Sequence, residues 1–136
     1  MSFEICDECK IGKYEEFITQ NFILIGDTEH EVDVEYSKCN NCSDEVIFSE
    51  QIKRNDCRNR AIWRIRDGLL SSTELIEARE ILKLQTHDFI NILGVSESMF
   101  SKYECNKENQ HKSLDNLLRV CLEFPNILEY LRLCKV

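Results

Sequence analysis

Hydrophobic and polar positions change their period once along this chain. Lys13 to Ile25 is rich in β-branched and aromatic residues, and Glu31 to Tyr36 alternates strictly. Val32, Val34 and Tyr36 fall on one face and Glu31, Asp33 and Glu35 on the other, which is the period of a strand. Gly26-Asp27-Thr28 between them is a turn signal, so this part reads as a hairpin. From Ser49 the period becomes helical. Ile52, Ala61, Ile62 and Ile65 mark a helix from Ser49 to Asp67, and Gly68 stops it. Ser71-x-x-Glu74 is a capping box opening the next helix, which carries Leu75, Ala78 and Leu82.

Gln85 to Glu104 reads as two short helices joined by a tight turn. Phe89, Ile90, Ile92 and Leu93 recur at helical spacing. Gly94 offers the positive φ of a sharp turn. Ser96 caps the second helix, with Glu97 in its first turn near the positive end of the dipole. Phe100 and Tyr103 give that helix an apolar face; Glu97, Ser98, Ser101 and Lys102 fall on its other faces. A short helix with polar faces, set on a packed partner, fits a helix-turn-helix whose second helix enters the DNA major groove. An ordinary helix pair in an all-α core has the same pattern. Cys105 to Lys112 is a polar loop. Ser113 is placed to cap a further helix carrying Leu114, Leu117, Leu118, Cys121 and Leu122. Pro125 ends that helix or starts the last one, Asn126 to Leu133. The expected organisation is residues 1–48 as a small β domain, 49–72 as a connecting helix, and 73–136 as an all-α domain of five helices.

Charge changes this picture in one respect. The net charge of −8 looks wrong for a nucleic-acid binder, but it is unevenly spread. Residues 1–48 carry −9, residues 49–72 carry +3, and residues 73–136 carry −2. The acidic part should be repelled by phosphate and suits a basic partner, or else it is a solvated surface. Arg54, Arg58, Arg60, Arg64 and Arg66 line the connecting helix, as a basic strip near a DNA backbone or as a solvated face. No run of 18 apolar residues and no basic-then-apolar leader appears, so the expected location is cytoplasmic, with no membrane contact.

Eight cysteines in a chain without a leader point to metal rather than disulfides. Cys6-x2-Cys9 and Cys39-x2-Cys42 are separated by 29 residues. Each turn aims two thiolates at one point, and two such turns complete a tetrahedral four-sulfur shell for one structural Zn²⁺. Two cysteine turns at the ends of a hairpin make a zinc ribbon. A redox dithiol would want one CxxC at a helix start in a βαβ context, which is missing. Cys57, Cys105, Cys121 and Cys134 are scattered core or surface thiols. A shell of four thiolates leaves no open position for catalytic water. His30, His87 and His111 lie in unrelated settings, and no nucleophile-elbow, P-loop or dinucleotide motif appears. No catalytic residue is assigned, and an enzyme is not expected.

The five short helices match the compact Xre or phage-repressor type of DNA-binding domain. WRIRDGLLSSTELIEAREILKLQ, LGVSESMFSKYE and NQHKSLDNLLRV resemble the MqsA-type (YgiT-type) antitoxins and their Xre-like relatives. The likeness covers essentially the whole chain and is weakest between residues 14 and 36. It implies a four-cysteine zinc domain that binds a ribonuclease toxin, and a helix-turn-helix that binds a palindromic operator in double-stranded DNA as a homodimer, repressing its own operon. It also implies an ion pair between Arg79 and Glu104, tying the first helix of that domain to the end of the recognition helix. Ser98 and Lys102 fall where the best-known member uses Asn and Arg on bases. Asn and Arg read adenine and guanine bidentately, whereas Ser and Lys discriminate less well. Glu97 either accepts from cytosine N4 or serves the helix dipole. Gln85 and Thr86 offer an amide, a hydroxyl or backbone N–H groups to a phosphate, and His87 faces the backbone or solvent. Gln110, His111 and Lys112 touch phosphates or form a solvated loop. Ile127, Leu128, Tyr130, Leu131 and Leu133 exceed what one short helix need bury, so some belong to a dimer contact or finish the monomer core. The rival readings are an adaptor of the same fold without operator binding, and a stand-alone repressor without a toxin.

Overall fold

The computed structural model describes residues 4–134. The fold is α+β. Strand β1, Tyr14–Ile25, pairs antiparallel with β2, Thr28–Cys39, and the two-residue β3, Glu45–Val46, adds to the far edge of β2. The register runs from Tyr14 opposite Cys39 to Ile25 opposite Thr28, with Gly26 at φ 59° in the turn. Helix α1 spans Ser49–Asp67. After it come α2, Ser72–Ile81; α3, which starts at Thr86–Asp88 and continues as a π-turn over Phe89–Leu93; α4, Glu97–Glu104; α5, Lys112–Glu123; and α6, Pro125–Cys134. The chain divides into two compact units between Asn59 and Arg60, inside α1.

In the first unit α1 closes an open sheet edge. Beyond β3 the outer edge of β2 would expose unpaired backbone groups, a template for unwanted pairing. Asn55 takes the place of a strand there. Its Oδ1 accepts from Glu35 N–H at 2.8 Å and its Nδ2 donates to Glu35 C=O at 3.0 Å. Arg58 Nε donates to Asp33 C=O at 2.8 Å. Gln51 Oε1 accepts from Ser37 Oγ and from Phe48 N–H, which starts the helix. Tyr14, Cys6 and Cys39 form the small core of this unit.

The second unit is built on local signals that agree with one another. Ser71 and Glu74 form a reciprocal capping box at 3.1 Å in each direction. Gly68 and Gly94 adopt φ 67° and 74°, and Asn106 is left-handed at 59°. Ser96 Oγ accepts from Met99 N–H, capping α4. Pro125 is the first residue of α6, where a missing N–H costs nothing. Leu70, Leu75, Leu82, Phe89, Leu93, Phe100, Tyr103, Leu114, Leu118, Cys121 and Leu128 close one core. Phe100 is fully buried, and truncating a phenyl group in such a place costs about 3–5 kcal/mol.

Three expectations are corrected. The helical unit is not five helices alone: the second half of α1 belongs to it as well, so six helices in all follow the hairpin. The cap of α5 is His111, not Ser113, and it makes no side-chain cap bond. The arginines of α1 are not one free strip: Arg54 and Arg66 are exposed, Arg58 and Arg60 are half-buried, and all five have partners within the chain. Arg54 and Arg58 bind Glu35 at 2.9 and 2.7 Å, and Arg66 pairs with Asp67 at 2.9 Å. Arg60 donates to Asn106 C=O, and Arg64 is buried.

Candidate metal centre and nucleic-acid face

The four cysteines of the hairpin come together. Cys6 Sγ lies 3.6 Å from Cys42 Sγ, and Cys9 Sγ lies 3.7 Å from Cys39 Sγ. All four sulfurs are within 4.8 Å of one another. A tetrahedral ion with metal–sulfur bonds of roughly 2.3 Å sets its sulfurs about 3.8 Å apart, so the cage has the right size. Two equivalent turns build it. Lys10 N–H donates to Cys6 C=O and Ser43 N–H to Cys39 C=O. Lys10 and Ser43, each one residue past its CxxC, are left-handed at φ 62° and 65°. Backbone N–H groups then point at sulfur: Gly12 at Cys9, and Asn41 and Cys42 at Cys39, at 3.4 to 3.5 Å.

Those N–H groups favour thiolate. The Gly12 N–H, with that of Ile11, lowers Cys9 to about 6. The Cys9 N–H holds Cys6 below the ordinary thiol range. Cys42 is different. The Asp44 N–H lowers it, but burial and the crowding of Cys6, Cys39 and Cys9 outweigh that and push it up to about 12. Sulfurs this close all ionise together only around a cation. One position that sequence reading passed over is Gly12. A Cβ there would stand 2.5 Å from Cys39 Sγ, so the cage leaves room for glycine alone. Its signal was visible: a glycine three residues past the second cysteine of a turn.

In the second unit, α3 and α4 meet at the Gly94 turn, and α4 sets Phe100 and Tyr103 into the core. Ser98, Ser101 and Lys102 are exposed on its other side, as are Gln85, Thr86 and His87 at the start of α3 and His111 and Lys112 at the start of α5. Gln110 is a correction. It is buried, and its Nε2 donates to Leu70 C=O at 2.9 Å and to Asp115 Oδ1 at 3.1 Å, so its side chain is not on offer to a phosphate. Lys112 also donates to Gly68 C=O at 3.2 Å.

Arg79 and Glu104 lie 3.6 Å apart, and Glu97 reaches the same guanidinium at 3.6 Å. The Glu97 side chain, 45% exposed, thus has an ion-pair partner within the chain. The Arg79 guanidinium also sits over the Phe89 and Phe100 rings at 4.8 and 5.5 Å, where the negative ring faces attract it. Two further polar anchors hold this face and were not read from the sequence. Buried Asp88 caps α3 by accepting from Gln85 N–H at 2.8 Å and pairs with Arg132 of α6 at 2.8 Å. Burial alone would raise its pKa; the Arg132 guanidinium and the Gln85 N–H outweigh burial and hold the carboxyl below its usual range. Arg64 donates to the carbonyls of Tyr103 and Glu108 and to Asn109 Oδ1, fixing the chain as it leaves α4.

No helix among the described residues is long and apolar enough to cross a membrane. No curated protein matches this chain. A family model described as the antitoxin component of the bacterial toxin–antitoxin system, MqsA, matches residues 4–132. That match takes in both the cysteine-bearing hairpin and the helices after it, and the chain belongs to the MqsA antitoxin family.

Proposed function

We propose that this antitoxin-family protein is a transcriptional regulator that binds operator DNA as a homodimer and holds a basic ribonuclease toxin through its acidic hairpin unit. The observation that carries the DNA reading is α4. It is anchored from below by Phe100 and Tyr103, tied to α2 by Arg79, and presents Ser98, Ser101 and Lys102 to solvent. In this reading one α4 per subunit enters successive major grooves of a palindromic site, with half-site centres about 34 Å apart or a multiple of that. Gln85, Thr86, His87, His111 and Lys112 lie against phosphates, which supply most of the affinity and a steep salt dependence. Exposed Phe124, Tyr130 and Leu133 on and before α6 are available for the subunit contact.

Cys6, Cys9, Cys39 and Cys42 hold one structural Zn²⁺ in this reading. The ion supplies cross-linking energy to a unit whose hydrophobic cluster, among the described residues, is three buried side chains and their partly buried neighbours. The −9 carried by residues 1–48 favours a basic protein over nucleic acid as the partner of this unit.

The rival is an adaptor of the same fold that no longer binds an operator. The net charge of −8 and the weaker reading residues Ser98 and Lys102 favour it. A fluorescence titration with DNA from upstream of the gene separates the two. The regulator reading expects binding that weakens about tenfold for Lys102→Ala, a loss of one charge-assisted contact. No binding at low salt leaves the adaptor.

A further inference from the structure

The hairpin carries an exposed surface that the metal cage and α1 do not use. On one face of β1, Ile18, Phe22 and Leu24 are 63%, 59% and 67% exposed. Directly opposed residues of an antiparallel pair share a face. The register sets Phe22 against Glu31 and Leu24 against Glu29. Two rows therefore run side by side toward the turn, one acidic and one apolar except for Gln20, which donates to the opposed Asp33. Nearer the cysteines the opposing carboxylate, Glu35, is already taken by Arg54 and Arg58. Glu29 and Glu31 have no basic partner among the described residues. Three large apolar side chains on an edge strand are a hazard unless something covers them.

We infer that this face, Ile18, Phe22 and Leu24 beside Glu29 and Glu31, is the docking surface for a basic protein partner whose apolar side chains are flanked by lysine or arginine. The inference rests on the toxin-binding reading and adds to it the surface used and the chemistry of the occupant. Charge complementarity selects that occupant. An anionic membrane or a nucleic acid would be repelled by the acidic row, and a second copy of the same face would bring like charges together. The apolar row supplies contact area and residence time, while the acidic row sets approach and orientation.

The test uses the full-length, metal-loaded protein and the purified product of the reading frame adjacent to its gene, titrated calorimetrically at low and high salt. Phe22→Ser/Leu24→Ser weakens binding by ~30-fold or more. Glu29→Gln/Glu31→Gln weakens it by about fivefold at low salt and has little effect at high salt. Thr19→Ala, on the opposite face of β1, leaves affinity unchanged. Bound metal and circular dichroism identical to the parent protein show that the variants are folded. Binding by the parent protein that both double variants retain overturns the docking face while leaving the toxin reading intact. No binding by the parent protein overturns both. Sedimentation of the chain alone that shows self-association, lost in Phe22→Ser/Leu24→Ser, assigns the face to a second copy and overturns the proposal.

Discussion

Single residues decide most of the polar architecture. Asp88 and Asp115 are both buried carboxylates held ionised. Asp115 accepts from Leu70 N–H at 2.7 Å and from Arg119 at 2.8 Å. Burial would raise its pKa, but the Leu70 N–H, Arg119 and Gln110 hold it below the usual range. Folded pKa values below the unfolded ones mean that the stabilisation is fully present above about pH 4 and is lost as pH falls further. The helical unit should therefore unfold in acid, and Asp88→Asn with Asp115→Asn should flatten that limb of a pH series followed by thermal melting. At neutral pH, Asp88→Ala leaves Gln85 N–H without its acceptor and Arg132 with only the Leu82 and Lys83 carbonyls, and costs about 2–4 kcal/mol, read by urea denaturation. In the other unit, Gly12→Ala drives a methyl group into Cys39 Sγ. The expected result is weakened metal retention in a competition with a chromogenic chelator, with the helical signal unchanged.

At the scale of elements, what was legible in the sequence was what neighbouring residues encode. The hairpin, its turn, the capping box at Ser71, the Gly94 turn and the Ser96 cap are each written within four or five positions, and the structure has them all. The roles of Gln51, Asn55, Arg64, Asp88 and Gln110 were not legible. Each is a polar side chain whose partners are carbonyls, amides or charges often 14 to 45 residues away, and nothing in the local pattern marks it. The five arginines of α1 share one composition and one period, yet only Arg64 is buried. The start of α5 misled for the opposite reason. Ser113 is a good capping residue, but Gln110 and Asp115 tie the preceding loop to Leu70 and pull the helix start back to Lys112. Arg64→Ala should cost about 3 kcal/mol, because two carbonyls and an amide oxygen lose a charged donor. Amide exchange in residues 105–109 should accelerate more than in α5.

At the scale of the whole chain, the two units draw on different sources of stability. Among the described residues the helical unit has a hydrophobic cluster of eleven buried side chains; that of the hairpin unit has three, two of which are cysteines. A strong chelator should therefore abolish the β signal and open residues 4–48 to protease, while the fragment that includes α2 to α6 stays resistant. Survival of the β signal would mean that the hairpin stands without an ion. The resemblance named in the sequence reading spans both units and holds, whereas the partners it implies rest on the titrations described above. The burial of Arg64 carries one more consequence, for anyone recombining such proteins. The natural-looking seam at Ser71 is the wrong place to cut: a helical module excised there leaves behind the guanidinium that fastens the end of its own α4. A chimera joined upstream of Arg60 would carry that fastening with it, and one joined at Ser71 would inherit a loosened exit from α4 however faithful the helix itself.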